Sequence, residues 1–238
     1  MRRLLAPLTA ALVLAGANSA LADTPPQTIK LSDEQSLTRW AHAGALSFIR
    51  ARPSSKSRRV GRLHYWTEDG YREIWLALAS QEDAKGNEWV QVRIPGRPNG
   101  RTGWVPRESL TGFHTVRTQL VIDRRRLRAT LYRSGKRVWR SPVGVGKRGT
   151  PTPGGDFYIR EKIKALAGGT IYGPLAFGTS AYSNKLTDWP GGGVIGVHGT
   201  NQPQLIPGRP SHGCIRVPNR NILRLARLMP LGTPVHIR

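Results

Sequence analysis

The chain has one cysteine in 238 residues, Cys214, so no disulfide can form within the chain. Acidic residues are also few, with 14 Asp and Glu against 37 Lys and Arg, which gives a formal net charge of +23. Beyond the N-terminus there is no apolar run near the roughly 20 residues that cross a bilayer, which excludes a later transmembrane helix. A lone thiol without a disulfide partner is a candidate nucleophile.

Residues 1–22 have the three parts of a secretory signal peptide. Two arginines precede an apolar run from Leu4 to Ala15, and Ala20-Leu21-Ala22 provides a small-residue cleavage site. A membrane anchor is the alternative, but the run is short and contains Pro7. We expect cleavage after Ala22, no membrane insertion afterwards, and a mature protein in the periplasm or cell wall.

The positive charge is concentrated in the second half of the chain. Residues 113–238 hold 21 basic and 4 acidic side chains. Such a field attracts polyanions, and outside the cytoplasm these are anionic envelope polymers rather than nucleic acid. The alternative is that the charge only maintains solubility, because Arg124, Arg125 and Arg126 cluster at a predicted turn.

The first half contains a linker and a small β-rich domain. Residues 23–47 are interpreted as a linker with a short helix, because Leu37, Trp40, Ala41 and Ala45 are weakly periodic. Residues 48–112 hold short apolar runs separated by turn residues, which predicts a small barrel.

This region resembles a bacterial SH3-like domain. The matching motifs are Arg52-Pro53-Ser54, Val60-Gly61, Asn87–Val92 and Gly103-Trp104-Val105. The resemblance implies an accessory module that either holds wall peptides or glycan, or only positions its neighbour. His64 and His114 are isolated in the sequence and are interpreted as packed or solvated rather than functional.

Residues 116–238 form the second predicted domain, which is mainly β with one short helix. Alternating runs from Thr118 to Val145 predict a β-meander. A helix is predicted to begin at Asn219 as its cap and to stop at Pro230. The spacing Gly144-x-Gly146-x-x-Gly149 matches a dinucleotide fingerprint, but Thr150-Pro151-Thr152-Pro153 follows where that site needs a helix.

Two histidines compete to activate Cys214, whose thiol is mostly protonated at neutral pH unless a base takes its proton. His212 lies two positions before Cys214, and the two side chains would share a face of an extended strand. His198 follows an apolar strand and could approach from a neighbouring strand. Gly213 permits the tight backbone of an oxyanion hole. An inert buried cysteine and a zinc site made by Cys214, His198 and His212 remain alternatives, although zinc lacks a fourth ligand.

These motifs resemble the catalytic domain of the L,D-transpeptidases, which cross-link peptidoglycan. The resemblance rests on three segments: Pro151–Phe157, His198-Gly199-Thr200, and Ser211-His212-Gly213-Cys214-Ile215-Arg216 with Asn219. It implies a small SH3-like barrel followed by an L,D-transpeptidase-type β-sandwich.

The resemblance also implies the roles of the site residues. Cys214 is the implied nucleophile and His198 the general base, with the Gly199 carbonyl orienting the ring. Backbone amides of His212, Gly213 and Cys214 would stabilise the oxyanion. Substrate contacts are implied for Ser211, Arg216, Tyr172 and Trp189. Many relatives have Asn where this chain has Arg216, which affects donor preference more than chemistry.

The implied reaction is acyl transfer through a thioester. The thiol attacks the third residue of a stem tetrapeptide, D-alanine leaves, and an amine of a neighbouring stem forms a 3→3 cross-link. Stem peptides are thus donor and acceptor, and no metal or organic cofactor is implied. A hydrolase at the same site, acting as L,D-carboxypeptidase or amidase, and a non-catalytic envelope-binding protein remain alternatives.

Overall fold

The computed structural model describes residues 27–164, 171–187 and 190–238. The predicted signal peptide, residues 1–22, lies outside the described residues. The fold is mainly β with one α-helix among the described residues, which confirms the predicted fold class. No helix in these ranges is long and apolar enough to cross a membrane.

The first sheet has eight strands, ordered β4-β3-β7-β6-β5-β2-β8 with β1 paired to β5. The strands are β1 (Ile29–Lys30), β2 (Thr38–Ala41), β3 (Phe48–Arg50), β4 (Arg59–Arg62), β5 (Trp75–Glu82), β6 (Glu88–Arg93), β7 (Thr102–Pro106) and β8 (His114–Val116). The short apolar runs predicted within residues 48–112 include the sequences that form β5, β6 and β7.

The short helix predicted within residues 23–47 is wrong. Its central residues form β2, in which Arg39, Trp40 and Ala41 pair antiparallel with β5. The apolar spacing arises because Trp40 and Ala41 are buried against different neighbours, so tertiary packing overrides a weak helical period. The first sheet therefore begins before residue 48.

The second sheet has ten strands, ordered β11-β10-β9-β18-β13-β14-β15-β17-β12-β16. The strands are β9 (Thr118–Asp123), β10 (Arg128–Arg133), β11 (Lys136–Pro142), β12 (Gly144–Gly146), β13 (Gly155–Lys164), β14 (Leu175–Tyr182), β15 (Val194–His198), β16 (Gly208–Ser211), β17 (Ile215–Arg216) and β18 (Pro234–Ile237). No helix follows β12, so the glycine-rich segment lacks the helix N-terminus of a dinucleotide site.

Strand β13 connects the two halves of this sheet. Its first residues, Gly155–Tyr158, pair with β18, and its later residues pair with β14. One apolar core takes side chains from both halves, including Leu120 and Leu131 from one and Phe177 and Val197 from the other. Strands β15 and β17 are thus fixed against a core that does not deform easily.

Helix α1 (Asn219–Leu228) packs Ile222 and Leu225 into that core. Its cap is Pro218, so the predicted capping role of Asn219 is wrong. Asn219 is the first helical residue, and its Oδ1 instead accepts a hydrogen bond of 2.8 Å from the Thr200 amide. That side chain therefore connects the helix to the segment that follows β15.

A buried polar network joins the two sheets. Arg160 on β13 is fully buried and forms a bidentate ion pair with Glu73, which is also fully buried and lies just before β5 of the first sheet. Glu68 lies 3.1 Å from the same guanidinium, and the Tyr158 hydroxyl donates to the Ile74 carbonyl at 2.7 Å. An apolar cluster that includes Trp40 and Tyr158 surrounds these contacts.

Candidate active site

Two parallel strands bring His198 and Cys214 together. Strand β15 pairs with β17 so that Val197 is opposite Ile215 and His198 opposite Arg216. Cys214 directly precedes β17 and lies beside Gly196, whose amide donates to the Cys214 Sγ at 3.3 Å. A methyl group at Gly196 would lie 3.7 Å from His198 Cδ2 and 3.9 Å from the Cys214 Sγ. The imidazole and the thiol therefore approach the same point above Gly196.

The imidazole of His198 is oriented by the backbone that follows it. Nδ1 lies 2.5 Å from the Gly199 carbonyl oxygen. A carbonyl only accepts hydrogen bonds, so Nδ1 carries the proton and Nε2 presents a lone pair. Burial lowers the pKa of His198 to about 4 from an ordinary 6.5, and the nearby Arg216 adds to this effect. His198 is therefore a neutral base at neutral pH.

The thiol of Cys214 is protonated in the resting site. Burial raises its pKa above the ordinary value, although the Gly196 amide and Arg216 act in the opposite direction. The thiol and the imidazole thus rest as a neutral pair. Such a pair attacks a carbonyl only as the proton moves from sulfur to Nε2, so activation is coupled to substrate attack.

Hydrogen bonds from neighbouring side chains fix the loop that carries the thiol. The Ser211 hydroxyl donates to the Cys214 carbonyl at 2.6 Å and accepts the Gly213 amide at 3.1 Å. The Thr152 hydroxyl donates to the Gly213 carbonyl at 2.6 Å. Gly213 has φ +133°, and a Cβ there would lie 2.9 Å from Ile195 Cδ1, so only glycine fits.

This geometry bears on the expected oxyanion hole. The Gly213 amide is engaged by Ser211 in this structure, so it does not point freely into the site. The amides of His212 and Cys214 remain the predicted oxyanion donors. The His212 side chain is exposed, and its Nε2 accepts a hydrogen bond of 3.1 Å from Lys147. His212 Nε2 is therefore occupied by Lys147 in this structure.

Tyr172 and Arg216 border the pair. The Tyr172 ring meets the His198 ring edge-on, with centroids 5.0 Å apart. Arg216 donates to the Gln202 Oε1 at 2.9 Å, while its buried Nε has no partner among the described residues. Trp189, the remaining predicted substrate contact, lies outside the described residues.

A cavity of about 210 Å³ opens onto the thiol. Six of the predicted residues line it: Tyr172, His198, Ser211, His212, Cys214 and Arg216. Residues 182–187 and 190–194, hereafter the wall segment, form another part of the lining, in which Ser183, Leu186, Gly193 and Val194 face the cavity. The arrangement suits a nucleophile and base at the end of a partly enclosed binding cleft.

The model of the YkuD family, described as the L,D-transpeptidase catalytic domain, matches residues 117–237. The chain belongs to this family. The match covers the second sheet, the helix and every described residue of the site above.

Individual relatives agree with this membership. The L,D-transpeptidase domain is 38% identical to YkuD of Bacillus licheniformis over 107 residues, which is 45% of this chain and 57% of that protein. It is 38% identical to YkuD of Bacillus subtilis over 96 residues, which is 40% of this chain and 51% of that protein. The chain thus spans about half the length of the curated relatives it matches.

Among solved structures, the chain is similar to the catalytic domain of the Enterococcus faecium L,D-transpeptidase acylated by ertapenem. The identity is 28%, the coverage is 52% of this chain and 99% of that chain, and the TM-score is 0.37.

Sequence reasoning missed two residues that organise the L,D-transpeptidase site. Thr152 pins the cysteine loop, and Asn219 supports the segment after His198. Both lie inside the quoted motifs, so the motifs themselves were the available signal. Residues of the wall segment carry no sequence signal of this kind, because their backbone rather than their side-chain chemistry forms the cavity.

The described residues provide no set of ligands for a metal ion. Within residues 27–164, 171–187 and 190–238, no group of three His, Cys, Asp or Glu side chains is placed to hold a metal ion. Cys214, His198 and His212 therefore do not form a zinc-ligand group among the described residues.

Proposed function

We propose that this protein is an L,D-transpeptidase that forms 3→3 peptidoglycan cross-links through a thioester on Cys214. The observation that carries the proposal is the paired-strand geometry, in which the His198 ring and the Cys214 thiol both lie beside Gly196 and the Gly199 carbonyl orients the base. Membership in the family supplies the reaction class. Together they support a cysteine-dependent acyltransferase.

The first step forms the thioester. The Cys214 sulfur attacks the carbonyl of the third stem residue while its proton moves to His198 Nε2. The oxygen of the tetrahedral intermediate is stabilised by backbone amides of the cysteine loop. The intermediate collapses with cleavage of the peptide bond, and His198 returns the proton to the departing amine of D-alanine.

The second step transfers the acyl group. An amine of a neighbouring stem attacks the thioester carbonyl and gives a proton to His198 Nε2. The carbon–sulfur bond then breaks, and His198 returns the proton to the Cys214 sulfur. A new amide forms and the enzyme returns to its neutral resting state, so the cycle needs no redox partner.

Arg216 supports recognition of a donor that carries a carboxylate. Its guanidinium borders the cavity, and its Nε lacks a partner among the described residues. Arginine binds carboxylates through a planar fork of donors. We propose that Arg216 binds a carboxylate of the donor stem, with Tyr172 and the wall segment covering the remainder.

The test is acylation by ertapenem followed by intact-mass measurement. We expect the wild-type protein to gain one covalent adduct, whereas Cys214→Ala should gain none and retain the wild-type melting temperature. An adduct of equal yield in Cys214→Ala would refute the nucleophile. Incubation with purified tetrapeptide muropeptides would then separate transfer, which yields 3→3 dimers, from hydrolysis, which yields only tripeptides.

The proposed site of action is the periplasm or cell wall. It is supported by the arginines, apolar run and small residues of the predicted signal peptide at residues 1–22. Cell fractionation with N-terminal sequencing tests this proposal. We expect the mature protein to begin at Asp23 and to be absent from the cytoplasmic fraction, whereas an unprocessed cytoplasmic protein would contradict it.

We further propose that the first sheet is an SH3-like module.

We also propose that the basic face of the second sheet binds anionic envelope polymers. A cavity of about 600 Å³ on that sheet supports this binding, and its charged lining residues are Asp123, Arg124, Arg125, Arg126, Arg209 and Arg238. Binding to isolated cell walls should weaken with salt, because the attraction is electrostatic. Binding that is independent of salt would contradict this interpretation.

A further inference from the structure

The loop between β6 and β7 of the first sheet touches the active-site wall. Arg97 lies in this loop, and its guanidinium donates to three backbone carbonyls of the wall segment: Ser183 at 2.7 Å, Leu186 at 2.9 Å and Gly192 at 2.8 Å. These partners are at least 86 positions away in sequence. One side chain of the first sheet thus binds three points of a wall that belongs to the second.

Asn99, two residues further along the same loop, adds a second attachment. Its Nδ2 donates to the Tyr182 carbonyl at 2.8 Å, and its Oδ1 accepts the Tyr182 amide at 2.9 Å. The two bonds match the pairing that another strand would provide at the end of β14. The side chain therefore ends the strand and sets the point where the wall segment begins.

The wall segment is shaped to receive the guanidinium. The Ser183 amide donates to the Gly193 carbonyl at 2.8 Å, which closes the segment into a loop. Gly193 has φ +81°, and a Cβ there would lie 2.1 Å from the Leu186 carbonyl oxygen and 2.6 Å from Arg97 Nη2. Three carbonyls can converge on one cation only because Gly193 has no side chain.

Residues of the wall segment also line the cavity that opens onto the thiol. Ser183, Leu186, Gly193 and Val194 line it, whereas Arg97 and Asn99 do not. Charged donors to carbonyl oxygens are among the stronger hydrogen bonds of proteins. Without them, the wall segment would depend on the few internal bonds of an exposed loop.

We propose that Arg97 and Asn99 are positioning residues of the active site, so that the first sheet completes the donor-binding cleft in cis. They act by holding the wall segment at its distance from Cys214, and they take no part in proton transfer. Donor affinity should therefore depend on the first sheet, while the rate of the chemical step should not. The affinity part of this inference rests on the proposed function, and the structural part does not.

Hydrogen exchange tests the structural part without requiring activity. In Arg97→Ala we expect faster exchange in peptides covering residues 182–187 and 190–198, and unchanged exchange in the loop of Cys214. The matched control is Arg50→Ala, because Arg50 donates to the Ser57 carbonyl at 2.9 Å within the first sheet's own region. Unchanged exchange of the wall segment in Arg97→Ala would overturn the proposal.

Ertapenem acylation kinetics test the functional part. Loss of the charged hydrogen bonds should raise the half-saturating ertapenem concentration about tenfold in Arg97→Ala, with the maximal acylation rate within about twofold of wild type. Arg97→Lys should recover part of this loss, because an ammonium can reach some of the carbonyls but lacks the planar fork. Asn99→Ala should raise the half-saturating ertapenem concentration by a smaller factor. It replaces Arg97→Ala in the test if that variant does not fold.

The possible results separate this inference from the proposed function. If wild-type protein is not acylated while exchange at the wall segment still depends on Arg97, the proposed function fails and the structural inference stands. If the segment loosens but the half-saturating concentration does not change, the claim that Arg97 sets donor affinity is wrong. A fall in the maximal rate alone would also contradict it.

Discussion

The active site and the interface between the sheets both bury titratable groups, but they solve the problem of burial differently. At the interface, Arg160 and Glu73 are both fully buried and form an ion pair with each other. In the site, His198 is buried and Cys214 is half-buried; both lie near Arg216 without a counter-charge, so both rest neutral. Available partners, rather than depth, decide which buried groups are ionised.

The difference has a functional meaning. A permanent ion pair is suited to joining two sheets, since its geometry does not change with substrate. A neutral thiol beside a neutral imidazole is unreactive until a carbonyl arrives to receive the sulfur and backbone amides receive the oxygen. Under the proposed function, this arrangement couples nucleophile activation to the presence of substrate.

Removal of the base should break the active-site half of this comparison most strongly. His198→Ala should slow ertapenem acylation by about 10²- to 10⁴-fold, because no neutral base then takes the thiol proton. Stopped-flow or quenched intact-mass measurements at neutral pH give the rate. His212→Ala is the matched control, and a loss in it as large as in His198→Ala would assign the base to the wrong histidine.

Removal of one ion-pair partner should break the interface half. Glu73→Ala leaves Arg160 buried with only the partly exposed Glu68, and we expect the free energy of unfolding to fall by about 3–5 kcal/mol. Urea denaturation measures the change. The control is Asp156→Ala, which breaks the exposed pair with His236 and should have little effect. Equal stabilities of the two variants would contradict the distinction between buried and exposed pairs.

Acidification should lower the stability of the fold through His198, which tests whether this buried group is neutral. Its pKa is about 4 when folded and about 6.5 when unfolded, so the unfolded chain binds the proton more tightly. The free energy of unfolding therefore contains a contribution from His198 that is fully present above pH 6.5. This contribution decreases by about 3 kcal/mol in total as the pH falls toward 4. Stability measured across this range in wild type and in His198→Ala isolates the effect, and parallel curves would contradict it.

Backbone strain at the cysteine loop gives the smallest expected effect. Gly213→Ala should cost about 1–3 kcal/mol, because alanine is strained at φ +133° and its methyl group meets Ile195. Gly86→Ala is the control, since Gly86 has φ +79° but open space around it. Denaturation of both variants compares strain alone with strain plus contact, and a larger loss at Gly86 would contradict this account.

The local part of this structure could be predicted from the sequence. Alternating apolar residues between Thr118 and Val145 predicted the region of β9 to β12, and the apolar run that ends at His198 indicated that this histidine could reach Cys214 from a neighbouring strand. The choice between His198 and His212 needed the register of β15 and β17. That register is a long-range property, which no local pattern contains.

The features that the sequence did not predict, or predicted wrongly, all depend on contacts between residues distant in the sequence. The segment around Trp40 is periodic because it packs between sheets, and Asn219 turns away from the helix end because the Thr200 amide offers it a better partner. Arg97 looks like an ordinary loop arginine in the sequence. Its contacts arise only when the first sheet docks beside the wall segment.

The central claim, that Cys214 rests as a neutral thiol beside a neutral imidazole, is tested most directly by titrating the thiol. Because Cys214 is the only cysteine, the thiolate absorbance of the wild type minus that of Cys214→Ala reports this one group. The account predicts no thiolate at neutral pH and a midpoint above the ordinary thiol pKa of about 8.5. A thiolate already formed at neutral pH, with a midpoint below that value, would show a resting ion pair and contradict the account.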